Sequence, residues 1–273
     1  MVERIACFFT GGYTEAGGMQ AFLEKINGKY EFKQYMPNKT KKRKGDAKVI
    51  QKELSGVTGE VFLRKVYDIL ENEKCRNEIS QCKAILLADD LDGRFHGWSN
   101  EQVNAYKQTV IEKICQKLQK EMPVFFLYAS PEIENWFVAD WNNGFEAFIT
   151  KSGFVSDVEL KAKQFFAHSL KIYVQDNILK EYCLEIEEYG FRNGKYYKLS
   201  DQLIEAVQTK VKESMIHISG VNKEYLKQIQ ESRELYYSKK GRGEWMLKNI
   251  NPEIVAQECK RYFRPVYNEI LDF

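Results

Sequence analysis

The chain has 273 residues, 44% of them hydrophobic, which is enough for one large or two ordinary domains with a sizeable core and excludes a disordered polypeptide. Its 41 basic residues nearly balance 39 acidic ones, leaving a formal charge of +2, so any affinity for nucleic acid has to come from a local patch. Six cysteines, at positions 7, 75, 82, 115, 183 and 259, include no pair at the spacing of a zinc or redox site, and no run approaches about 18 apolar residues. The expectation is a cytoplasmic protein with reduced thiols and neither signal peptide nor membrane span.

Arg4 to Thr10 is a continuous apolar run closed by Gly11-Gly12, the pattern of a buried parallel strand. A helix begins at Thr14, with Met19, Phe22, Leu23 and Ile26 at helical spacing and Asn27-Gly28 as the stop. The glycines between Gly11 and Gly18 would let backbone N–H groups approach an anion, but the Gly-Lys-Ser/Thr ending of a phosphate loop and the spacing of a dinucleotide fingerprint are both missing. Glu15 falls in the first helical turn, where the helix dipole alone would favour it.

Tyr30 to Met36 reads as a second strand, and Pro37 opens a polar segment carrying Lys39, Lys41, Lys42, Arg43 and Lys44. Such a cluster can neutralise phosphates on a nucleic acid or be a solvated loop. Gly56 to Glu73 is an amphipathic helix, with Phe62, Val66, Ile69 and Leu70 on one face. Lys83 to Ala88 is the next buried strand, and it delivers Asp89, Asp90 and Asp92 to its carboxyl end. Ser99 and Gln102 form a capping box before a long helix, and Pro123 to Tyr128 is a fourth strand. Ser130 is then expected as an N-cap with Pro131 at the first helical position, placing Glu132 and Glu134 in the first turn. Beyond residue 142 the segments 158–180 and 203–215 read as helices, Asn251-Pro252 caps another, and Pro265 is expected to interrupt that last helix.

Strands alternating with helices predict an α/β fold with a parallel sheet over residues 1–141, followed by a mainly helical region over 142–273 packed on it. In such sheets the ligand crevice lies outside the carboxyl ends of the strands, where Glu15, the Asp89–Asp92 cluster and Glu132 and Glu134 would converge. Carboxylates are hard ligands suited to magnesium or manganese, and Asp90 and Asp92, spaced by one residue, can serve one ion. A polar turn after a core strand explains the same residues without a ligand. Competing sites fare worse: a calcium loop starting at Asp90 would need glycine where Phe95 stands, and His96, His168 and His217 are isolated from one another and from cysteine pairs.

Three stretches carry a resemblance: Gly11-Gly12-Tyr13-Thr14-Glu15 after the first strand, Asp90-Leu91-Asp92-Gly93 after the third, and the segment from Ser130 to Asp140 with its Pro-x-x-Glu-x-Trp-x-x-Ala-Asp spacing. Together they resemble the Toprim (topoisomerase–primase) domain superfamily, and in particular small bacterial Toprim-like proteins related to overcoming-lysogenisation-defect nucleases, whose genes often neighbour ATPase genes. Tyr237 to Gly243 is a weaker match to the same proteins.

The resemblance implies a magnesium- or manganese-dependent nuclease that hydrolyses phosphodiester bonds, an effector or accessory subunit in bacterial anti-phage defence. It implies Asp90, Asp92 and Glu134 as metal ligands, with Glu15 and Glu134 in catalysis and Lys240 or Arg242 on the phosphate. The chain departs from the family in one place: Gly11 stands where a glutamate is usual. That departure supports an alternative, a catalytically degenerate Toprim fold that binds nucleic acid or an ATPase partner without cutting.

Overall fold

The first apolar run forms strand β1 (Glu3–Phe9), whose side chains alternate between two cores: Ile5, Cys7 and Phe9 enter one, Ala6 and Phe8 the other. A strand covered on both faces requires that continuous apolar pattern. A computed structural model describes the chain over residues 2–10, 12–37, 56–151, 157–179, 186–188, 190–192, 195–217 and 242–273. After β1 come helix α1 (Tyr13–Ile26), strand β2 (Tyr30–Met36), helices α2 (Gly59–Glu71) and α3 (Glu73–Ile79), strand β3 (Ala84–Asp90), helix α4 (Asn100–Leu118) and strand β4 (Val124–Ala129). The four strands form one sheet in the order β2-β1-β3-β4, and every pairing is parallel. The α/β fold read from the alternating pattern is therefore the one observed.

The rest of the chain is mainly helical: α5 (Glu134–Ala139), a π-helical turn (Asn142–Glu146), α6 (Ala147–Lys151), α7 (Asp157–Tyr173) and a second π-helical turn (Val174–Leu179). A short 3-10 turn (Ile186–Glu188) and the antiparallel pair β5 (Phe191–Arg192) and β6 (Lys195–Tyr196) precede α8 (Leu199–His217), α9 (Glu244–Asn249), α10 (Pro252–Glu258) and α11 (Phe263–Asp272). Among the described residues no helix is long and apolar enough to cross a membrane.

Helices α2 and α4 cover one face of the sheet through Phe62, Val66, Leu70, Val110 and Ile114. On the other face a single apolar cluster runs from β1 through Phe22 of α1 to Trp136, Leu203 and Phe263, so the C-terminal helices and α1 share one core. Trp136 stacks on Phe22 with ring centroids 5.2 Å apart and meets Phe263 edge-on at 4.9 Å. Such pairs contribute about 0.5–1.5 kcal/mol each beyond the area they bury. Polar ties fix the same seam: Asn27 Nδ2 donates to the Ile270 carbonyl at 2.9 Å and Lys25 Nζ to the Ile250 carbonyl at 2.9 Å.

Several local expectations are corrected. Gly17 and Gly18 lie inside α1 and face α9, where a Cβ on Gly17 would come within 2.1 Å of the Glu244 carboxyl carbon, so close helix packing accounts for these glycines. Ser130 does not cap a helix: its hydroxyl donates to the Glu187 carbonyl at 2.6 Å, and α5 starts only at Glu134. The last helical stretch breaks between Cys259 and Tyr262, and Pro265 sits in the first turn of α11, where a missing N–H costs nothing. The capping box is as read, with Ser99 and Gln102 exchanging bonds of 2.8 and 3.3 Å.

Candidate functional site at the carboxyl edge of the sheet

The strand order reverses direction at β1: the chain first adds β2 on one side and then crosses to place β3 on the other. The α/β crevice opens at such a switch point. Here the segment after β1 and the end of β3 meet. The Val57 N–H donates to the Thr10 carbonyl at 2.8 Å, which brings the start of α2 over the same edge.

Alternation along β3 sorts its acids. Ile85 and Leu87 belong to the α2/α4 core and Leu86 and Ala88 to the α1 core, so Asp89 follows the first set and Asp90 the second. Asp89 is 5% exposed and accepts from the Arg94 guanidinium and from the Gly59 N–H at 3.2 Å. Burial pushes the Asp89 carboxyl up to about 6, while the Arg94 charge pulls it down. Arg94 also donates to the Asp90 carbonyl at 2.7 Å. The turn that returns it there has Asp92 at φ 51° and Gly93 at φ 116°, a region that aspartate tolerates and glycine favours.

Asp90 and Asp92 are half-buried and flank Leu91, which is 1% exposed. The Ile133 N–H donates to Asp90 Oδ1 at 3.2 Å, and the Thr58 hydroxyl donates to Asp92 Oδ2 at 3.0 Å. The backbone is pinned alongside, with the Leu91 N–H on the Ala129 carbonyl and the Asp92 N–H on the Pro131 carbonyl, both at 2.8 Å. These contacts explain the late start of α5: residues 131–133 are held by the end of β3 before the helix begins.

Glu15 is 6% exposed and folds back toward Gly12, where a Cβ would lie 2.3 Å from Glu15 Oε2; the Thr10 hydroxyl donates to Glu15 Oε1 at 3.4 Å. Glu134 is fully buried in the first turn of α5. Glu132, 1% exposed, accepts from the Tyr196 hydroxyl at 2.9 Å and the Ser200 hydroxyl at 2.7 Å. Burial first, and then the Glu132 charge, push the Tyr196 phenol up, so it stays protonated. Arg242 stacks its guanidinium over Phe148 at 4.8 Å, and the adjacent Gly243 packs on Thr14 so tightly that a Cβ would come within 2.1 Å of its hydroxyl. Lys39, Lys41, Lys42, Arg43, Lys44 and Lys240 lie outside the described residues.

The structure thus places Asp90 and Asp92 at the carboxyl end of β3, with Asp90 bonded at the start of α5 and Asp92 at the start of α2. Among the described residues no three His, Cys, Asp or Glu side chains are grouped so as to hold a metal ion. No family model, curated protein or solved structure matches the chain.

Sequence reasoning missed Arg94, Thr58, Tyr196 and Ser200. Arg94 had a signal, a cation five residues after a strand-end acid on a turn carrying Gly93. Tyr196 and Ser200 had none, since they reach Glu132 across 64 and 68 residues of chain.

Proposed function

We propose that this chain is a Toprim-like, metal-dependent nuclease that hydrolyses phosphodiester bonds, serving as an effector or accessory subunit of bacterial anti-phage defence. The observation that carries the chemistry is the Asp90–Asp92 pair: two half-buried carboxylates on an inner strand's carboxyl end, each with one oxygen held by a fixed donor. Magnesium retains several waters and is commonly bound by one or two carboxylates plus substrate phosphate, so this pair fits magnesium or manganese without a third carboxylate beside it. When bound, the cation would activate a water and neutralise charge on the phosphoryl oxygens.

The chain's own residues prepare that place. Arg94 compensates Asp89 and fixes the β3 end through the Asp90 carbonyl, so Asp90 and Asp92 keep their spacing. Glu15 and Glu134 complete the acidic set that the resemblance implies. Arg242, next to the glycine that packs on Thr14, is placed in the proposal as a phosphate clamp together with Lys240, and the basic run from Lys39 to Lys44 as the contact to the nucleic-acid backbone.

With magnesium or manganese the purified chain should cut DNA or RNA, and Asp90→Asn with Asp92→Asn should lower cutting by about a hundredfold or more while leaving the melting temperature within a few degrees. Full activity in the double variant would overturn the assignment. A second reading, a non-cutting module that binds nucleic acid or an ATPase partner, is favoured by Gly11, which stands where the resembled family usually has a glutamate. Gel-shift binding with no cutting, and no manganese uptake by calorimetry, would establish it instead.

A further inference from the structure

Helix α2 turns its capping residue away from itself. Asn72, Ser99 and Asn251 cap α3, α4 and α10, each accepting a backbone N–H of its own helix through its side chain. Thr58 holds the same position before α2 with the extended backbone of a cap, φ −117° and ψ 165°, yet its side chain makes no cap bond. Its hydroxyl meets Asp92 Oδ2 at 3.0 Å instead. Both residues are fixed by their backbones. The Val57 N–H donates to the Thr10 carbonyl at 2.8 Å and the Gly59 N–H to Asp89 Oδ2 at 3.2 Å, which ties the residues on either side of Thr58 to the ends of β1 and β3. The Asp92 N–H is held by the Pro131 carbonyl at 2.8 Å.

A capping threonine uses its hydroxyl oxygen as an acceptor, whereas an ionised carboxylate can only accept, so here the hydroxyl gives its proton to Asp92. That bond settles the two oxygens of Asp92 differently: Oδ2 is held, and among the described residues nothing bonds Oδ1. Hydrogen-bond partners behind a ligating carboxylate orient it, and losing one typically costs about ten- to a hundredfold in metal affinity. Calcium takes roughly six to eight oxygens and accepts a carboxylate through one oxygen or both, whereas magnesium keeps a tight octahedron with several waters. We propose that Thr58 is a positioning residue, which offers Asp92 to magnesium or manganese through Oδ1 alone and so disfavours calcium. The inference rests on the reading of Asp90 and Asp92 as metal ligands.

The test compares manganese and calcium binding by calorimetry to the full chain as wild type, Thr58→Val, Thr58→Ala and Thr58→Ser, with circular dichroism to show which variants fold. Valine keeps the branched shape and removes the hydroxyl; alanine removes both. Either should weaken manganese about tenfold or more and calcium less, so the preference for manganese over calcium falls. Thr58→Ser keeps the donor and should bind manganese within about twofold of the wild type. Unchanged manganese affinity in a folded valine or alanine variant overturns the proposal and leaves the nuclease reading standing. Equal weakening in the serine variant does the same, and so does an equal loss for both ions, which a general disturbance of the site would produce. No manganese uptake by the wild type overturns both.

Discussion

The ends of β3 and β4 each bury an acid at the same edge of the sheet, yet they compensate it differently. Asp89 on β3 is met by Arg94, five residues away on its own turn. Glu132, just past β4, is met by the neutral hydroxyls of Tyr196 and Ser200, delivered from beyond residue 190. The β3 end therefore finds its counter-charge within its own loop, whereas the Tyr196 and Ser200 donors to Glu132 at the β4 end arrive only when residues beyond 190 dock. Asp90 and Asp92 sit on the side with the local counter-charge, and their own donors come from the starts of α5 and α2.

The sharpest way to break this contrast is Arg94→Met, which strands the Asp89 carboxylate. A broken buried ion pair costs about 3–5 kcal/mol, and denaturant unfolding at pH 8 should show a loss of that order. At pH 5 the loss should shrink, because Asp89 can take up a proton instead. An equal loss at both values would mean that Arg94 acts through packing alone.

The wild type carries its own pH signature. Because burial raises Asp89 from 3.8 to about 6, the native state binds more protons than the unfolded chain between those values. This contribution to stability is fully present below about pH 4 and is lost as pH rises through 6, a swing of about 3 kcal/mol. Comparing the stability profiles of the wild type and Asp89→Asn isolates it, and parallel profiles would show that Asp89 does not titrate in this window.

On the β4 side the effects should be smaller and of another kind. Ser200→Ala removes one neutral donor to a charged acceptor, about 2 kcal/mol, and should raise amide exchange across the 195–200 segment while leaving the β3 turn protected. Combining it with Tyr196→Phe should cost more or less than the sum, since both donors serve one carboxylate. Strict additivity would deny the shared partner.

How far the chain was legible follows the same division. Strands β1, β3 and β4, helix α4 with its capping box and the Asp90–Asp92 pair are written in contiguous apolar runs and short spacings, which local physics decides. Ser130 was misread because its neighbourhood obeys β3: the Asp90 carboxylate holds the Ile133 N–H and the Asp92 N–H holds the Pro131 carbonyl, and neither contact has a trace near residue 130. The glycines at 17 and 18 did carry a clue, since glycine inside a helical pattern often marks a close approach. The partner helix that needs it lies more than 200 residues further on.

That distance has a consequence for how the protein is made. The core under α1 is finished by Met246, Leu247, Val255, Phe263 and Ile270, and Tyr30 of β2 donates to the carbonyl of Phe273. At about 5–20 residues per second, a ribosome that has just completed β4 needs several more seconds to reach Met246, and throughout them Phe22 and Leu23 lack their cover. The first half of this molecule is therefore made with that hydrophobic face uncovered, until α9, α10 and α11 close the face that α1 opened.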